Sequence, residues 1–162
     1  MMVADSQSSS QIGDVSRFHG MTLLTPTERE ARLAVQNFND GLVVLAEQLR
    51  HKAGAHNLLV TLGAEGVLIH AGTADGFLTD RLPAMNHTPK DVAGAGDSLL
   101  AGAALALAAG ADIWQSAYLG ALGAACQVGR LGNCPLSPAE IRVELDAARK
   151  ANGQTAVADR TE

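Results

Sequence analysis

The chain has 162 residues, the length of one ordinary domain with its own core, and aromatics at only 3% leave that core to Leu, Val, Ala and Gly. A formal net charge of -5 without clustered Lys and Arg argues against a nucleic-acid surface. Cys126 and Cys134 form no CxxC pair and have no His at metal-ligand spacing, which excludes a disulfide framework or zinc site and leaves them as ordinary thiols of a cytoplasmic protein.

Met1 to Ser10 lacks the basic start and apolar run of a secretory signal, and the polar run Ser6 to Gln11 alone reads as a flexible tail. Thr25-Pro26-Thr27-Glu28 combines a Thr N-cap, Pro at the first helical position and Glu three residues after the cap, predicting a helix through Gln36. A second helix is expected over Leu42 to Lys52, with Leu42, Leu45, Ala46 and Leu49 on one face and Gly54 as its stop. Leu58 to Leu62 and Val67 to His70 read as short strands joined by the turn Gly63-Ala64-Glu65-Gly66. A polar loop and a short segment near Leu82 follow.

Pro89 to Asp97 then forms a loop that ends at a helix N-terminus, and this helix runs to Ala109 before Gly110. From Ser98 to Gly129 the sole charge is Asp112, which raises a membrane hairpin as a reading. Richness in Ala and Gly, with the break Asp112 to Ser116, favours buried helices instead, the second over Trp114 to Val128. Ser137-Pro138-Ala139-Glu140 opens a last helix. The domain is expected to end at residue 150, with 151–162 a disordered tail. His19, His56, His70 and His87 are dispersed and are assigned to surface or structural roles, and Lys90 reads equally well as a solvated charge.

Chemistry concentrates at Gly94-Ala95-Gly96-Asp97. The first N–H groups of a helix lack internal partners and the dipole is positive there, so this segment can hold an anion. An acid in its midst repels a phosphate that is merely held. It suits phosphoryl transfer, where a carboxylate takes the proton of the attacking hydroxyl while nearby donors stabilise the phosphoryl oxygens. The plainer reading makes Asp97 a favourable first-turn acid and the glycines a tight turn. No GxxxxGK[ST] occurs, and Gly94-x-Gly96-x-x-Leu99 lacks the third Gly of a dinucleotide fingerprint.

Asp91-Val92-Ala93-Gly94-Ala95-Gly96-Asp97-Ser98 resembles the D-T-x-G-A-G-D signature of ribokinase-like (PfkB-type) carbohydrate kinases. The resemblance implies that Asp97 is the catalytic base and that the backbone of Gly94, Ala95 and Gly96 forms the anion hole. Val60 to Gly66 resembles the family's V-T-L-G-x-x-G segment, which implies nucleotide contacts at Thr61, Gly63 and Gly66, with Asp91 also at the cofactor site. Leu24 to Glu30 resembles T-P-N-x-x-E, whose Asn and Glu arrange magnesium and phosphate. Glu30 matches and would act on Mg2+ indirectly, whereas Thr27 stands in place of the Asn. Val128 to Gly132 and Leu136 to Glu140 look most like the heptose 7-phosphate kinase domain of bifunctional ADP-heptose synthases. Ala121 stands where many relatives have an Asn beside the adenine.

The likeness runs from about Val3 to Leu145 and corresponds to the family's C-terminal part. The fold class expected is therefore α/β, the C-terminal portion of a three-layer α/β/α sandwich with a mainly parallel sheet. Val3 to Ser6 becomes an internal strand and loop, Met1 falls near a truncation point, and most of the sugar site is expected to lie in the missing half. ATP, Mg2+ and a sugar or sugar phosphate are the implied ligands, and a monovalent cation near Asp91 is left open. An exposed sheet edge would invite a homodimer or a complementing N-terminal half. The competing reading is a noncatalytic nucleotide-binding or interaction module derived from such a kinase.

Overall fold

The computed structural model describes residues 1–5 and 13–158, so the run Ser6 to Gln11 and residues 159–162 of the expected tail lie outside the described residues. Five strands form one sheet in the order β1 (Val3–Ala4), β2 (Leu23–Leu24), β3 (Asn57–Thr61), β4 (Val67–Thr73), β5 (Gly76–Leu82). The first three run parallel, and β4 and β5 fold back antiparallel. Helices α1 (Glu28–Val35), α2 (Leu42–Ala53), α3 (Ala95–Ala108), α4 (Ile113–Val128) and α5 (Pro138–Ala158), with short 3-10 turns at Val15–Arg17 and Gly63–Glu65, complete the described elements. Helix α5 continues across residue 150, where the sequence reading ends the domain.

Side-chain alternation along the strands builds three layers, because successive residues point to opposite faces. Leu24, Leu58, Val60 and Leu68 pack with Ala31 and Ala34 of α1 and Leu45 and Leu49 of α2. Leu23, Leu59, Val67 and Ile69 meet Leu99 and Ala103 of α3 and Ala117 and Ala121 of α4 on the other face. The small residues that raised a membrane reading are what let α3 and α4 pack closely: a Cβ on Gly120 would lie 2.6 Å from the Leu99 carbonyl oxygen. No helix among the described residues is long and apolar enough to cross a membrane.

Local signals mostly act where the sequence puts them. Gly54 caps α2 in the left-handed region at φ 58°, Asp112 and Gln115 make a reciprocal capping box on α4, and Ser137 pairs with Glu140 at the start of α5. Helix α1 differs from expectation. Its N-cap is Thr27, not Thr25, because Glu30 reaches back to the Thr27 N–H at 2.8 Å while the Thr27 hydroxyl accepts from the Glu30 N–H at 3.2 Å. Pro26 stays extended, its carbonyl accepting from the Thr61 N–H at 2.9 Å. The segment near Leu82 is a full edge strand paired along the length of β4, joined to it by a turn that carries Asp75-Gly76.

Candidate active site

Three parallel strands direct their carboxyl ends to one edge of the sheet, where open α/β sheets bind ligands. Asp5 follows β1, Thr25 to Thr27 follow β2, and Thr61 closes β3. Thr27 and Thr61 are bridged directly. Over this edge lies a cleft of about 940 Å³, within the size range of small-molecule sites. One wall is the start of α1, the middle is the turn Thr61 to Gly66, and the far wall is α3, α4 and the segment Pro83 to Pro89.

The turn is held from within and from outside. The Leu62 N–H donates to the Gly66 carbonyl at 2.8 Å. Gly66 has φ 98°, and a Cβ there would stand 2.0 Å from the Leu82 carbonyl oxygen. Only glycine satisfies both conditions, so the end of β5 fixes the turn against the cleft.

At the start of α3, Gly94 takes φ 76° and packs against the Asn133 side chain. Gly94, the N-cap, has no side chain with which to cap the helix. The Ala95 N–H makes a long 3.3 Å contact with the Val92 carbonyl, and Ala95 and Gly96 line the cleft. The nearest side chain to a Cβ built on Gly96 is Asp5, with Oδ2 at 3.8 Å, which brings a second carboxylate to the helix start. Asp97 lies in the first turn on an exposed face, beside the lining residues and not among them.

Thr61, Gly63, Gly66, Ala95 and Gly96 are thus gathered in one cleft, whereas Gly94, Asp97, Asp91 and Glu30 stand outside its lining. Glu30 is buried and its Oε2 accepts from both the N–H and the hydroxyl of Thr27. Asp91 clamps the loop ahead of α3 to the one after α4, accepting from the Ala93 and Gly132 N–H groups at 3.0 Å each. Those bonds, the Ala93 one foremost, hold its carboxyl below the usual range. Gln127, buried, supports the same clamp by donating to the carbonyls of Ala93 and Gly132. Arg130 then joins Gln127 to Glu140 and the Cys134 carbonyl. Burial pushes the Cys126 thiol up, away from the thiolate form that reacts.

Sequence reasoning missed Asp5, Gln127, Arg29, which lines the cleft at the start of α1, and the wall Pro83 to Pro89. His87, assigned to a surface or structural role, lines the cleft. A signal for that wall existed: Asp75-Gly76 marks a hairpin turn, and a second strand after it delivers the chain back to the cleft.

The described residues fit a nucleotide. A helix start suits phosphates, and the apolar wall suits a base. No group of three or more His, Cys, Asp or Glu gathers as a metal site among the described residues.

The bifunctional protein HldE of Methylobacillus flagellatus is 34% identical over 143 residues, covering 85% of this chain and 28% of that protein. The HldE of Caulobacter vibrioides is likewise 34% identical, over 91% of this chain and 31% of its own length. The chain therefore spans under a third of these curated relatives. Among solved structures, a ribokinase from Thermotoga maritima superposes with a TM-score of 0.75 at 25% identity, covering 89% of this chain and 48% of the other. Phosphofructokinase-2 from Escherichia coli, at 17% identity, shares the fold with a TM-score of 0.71 over 86% of this chain and 45% of its own. A family model matches residues 1–140, and the chain belongs to the pfkB family of carbohydrate kinases.

Proposed function

We propose that this chain carries the nucleotide-binding and base-bearing part of an ATP-dependent sugar or sugar-phosphate kinase. The observation that carries the reading is the convergence of the Thr61 to Gly66 turn and the Ala95-Gly96 helix start in one cleft. ATP supplies the phosphoryl group, and Mg2+ neutralises its charge when bound. Asp97 takes the proton of the acceptor hydroxyl, whose oxygen bonds to the γ-phosphorus as the bond to the β,γ-bridging oxygen breaks and ADP leaves. The N–H groups of Gly94, Ala95 and Gly96 hold charge on the phosphoryl oxygens. Thr61, Gly63 and Gly66 border the nucleotide, and Asp91 keeps the loop before α3 in position. Glu30 acts on Mg2+ indirectly, through the Thr27 cap.

The HldE relatives favour a heptose phosphate as the first acceptor to test. The test mixes the chain with the part of an HldE relative that it does not span, and follows phosphate transfer from ATP. Transfer that needs both parts and Mg2+ is expected. Saturable ADP binding with no transfer to any sugar or sugar phosphate would replace the kinase reading with a noncatalytic nucleotide-binding module.

A further inference from the structure

We propose that Arg29, an exposed guanidinium in the first turn of α1, binds a phosphate of the nucleotide that enters the cleft. This rests on the nucleotide reading given above. The Asp, Glu, Lys and Arg side chains in the cleft lining are Glu28, Arg29 and Arg32, all on the α1 wall. Two of them neutralise each other: the Arg32 Nη2 lies 2.7 Å from Glu28 Oε1, and its Nε donates to the same oxygen at 2.8 Å. The Arg32 Nη1 donates to the carbonyls of Asn37 and Asp40. Glu30, the other carboxylate of this turn, accepts from Thr27. Arg29 is left with no hydrogen-bond or ion-pair partner among the described residues, so that, His87 aside, the lining carries one unbalanced positive charge.

The position of that charge points the same way. Thr27 caps α1, which makes Arg29 the second residue of the helix, where the positive end of the dipole favours anions and disfavours a guanidinium. Neither a pairing nor the helix accounts for a cation there, whereas an anionic ligand does. Thr27 is also bridged to Thr61, the first residue of the turn that borders the nucleotide in this reading. Across the cleft, the α3 start carries Asp97 in its first turn and has the Asp5 carboxylate beside Gly96. With the base on the apolar wall of α4, the phosphates lie between that acidic start and α1. A permanently charged, forked donor on the α1 side offsets the repulsion and can hold two phosphate oxygens at once.

Calorimetric titration of the native chain, Arg29→Gln and Arg29→Lys with ADP and with adenosine, each with Mg2+, tests the assignment. Arg29→Gln is expected to weaken ADP by about tenfold or more and to leave adenosine within about twofold, because only ADP carries the anion. Arg29→Lys should fall between, keeping the charge without the planar fork. The urea midpoint of Arg29→Gln should hold or rise, since the substitution removes a cation from the positive end of α1. An ADP affinity unchanged in Arg29→Gln would overturn the inference and leave the nucleotide reading intact. An equal loss for ADP and adenosine would overturn it too, and would make Arg29 a packing residue of the cleft. Saturation of the native chain by neither ligand, in a chain folded by circular dichroism, would remove the nucleotide reading and this inference with it.

Discussion

At the scale of single residues, the cleft's edge holds groups whose structural and chemical duties can be separated by substitution. Asp97→Asn removes the proposed base and a negative charge from the α3 start without changing its size. Phosphoryl transfer by the complemented enzyme should fall by at least about a hundredfold, while ADP affinity holds or rises because a repulsion is lost. Undiminished turnover would discard Asp97 as the base. Glu30 has a measurable duty in the capping box, for which Gln serves nearly as well as Glu. Glu30→Gln should therefore leave the urea midpoint nearly unchanged while raising the Mg2+ concentration needed for half-maximal transfer, and Glu30→Ala should lower stability by about 1 kcal/mol. An unchanged Mg2+ requirement in Glu30→Gln would confine Glu30 to capping. Gly66→Ala meets both a clash with Leu82 and a positive φ; a loss of about 2 kcal/mol or more in urea unfolding is expected.

Between elements, the link from α2 to β4 is polar at a place where the rest of the layer is apolar. Glu47 on α2 accepts from the His70 Nε2 at 2.7 Å, and the buried His70 ring reaches the Thr79 hydroxyl on β5 at 2.8 Å through Nδ1. Because a carboxylate only accepts, Nε2 carries a proton toward Glu47, and the Thr79 hydroxyl, which both donates and accepts, pairs with Nδ1. Arg50, paired with Glu47 through Nε at 2.6 Å, is the chief reason that the Glu47 carboxyl falls to about 2, with the hydrogen bonds from His70 and His51 adding to it. A carboxyl depressed in the folded state contributes stability above its unfolded value near 4.5 and loses it as pH falls through the folded value. The urea midpoint should thus drop between pH 5 and pH 3 by more in the native chain than in Glu47→Gln, and equal drops would rule out this pair as the source. Such a link could not be read from sequence, since Glu47 and His70 lie 23 positions apart and neither falls in a motif. The stop of α2 at Gly54 and the start of α5 at Ser137 were legible because such signals are local. The strand β5 was not, because its exposed edge position gives it Asp80 and Arg81 where a buried strand has apolar residues.

For the molecule as a whole, what the sequence singled out was two segments, Thr61 to Gly66 and Gly94 to Asp97, that the fold brings to one edge of the sheet. What it could not supply was their meeting, which depends on parallel β1, β2 and β3 ending at one edge and on the β4–β5 hairpin returning the chain across it. The role of Asp91 as a loop clamp, and the presence of Asp5 beside Gly96, emerge only from that geometry. The same geometry makes ligand binding a property of the assembled sandwich. If a nucleotide spans the cleft, Mg-ADP should slow amide hydrogen exchange together at the turn Thr61 to Gly66, at the start of α3 and along the Pro83 to Pro89 wall, because all three close on one ligand. Helix α5, which has no residue in the cleft lining among the described residues, should exchange unchanged. Protection at the turn alone would mean that ligand occupies only the α1 end, and the base would then have to be sought near Phe38 and Leu33 instead of against α4. Protection spread evenly over the chain would instead report a general gain in stability on binding, with no bridge across the edge.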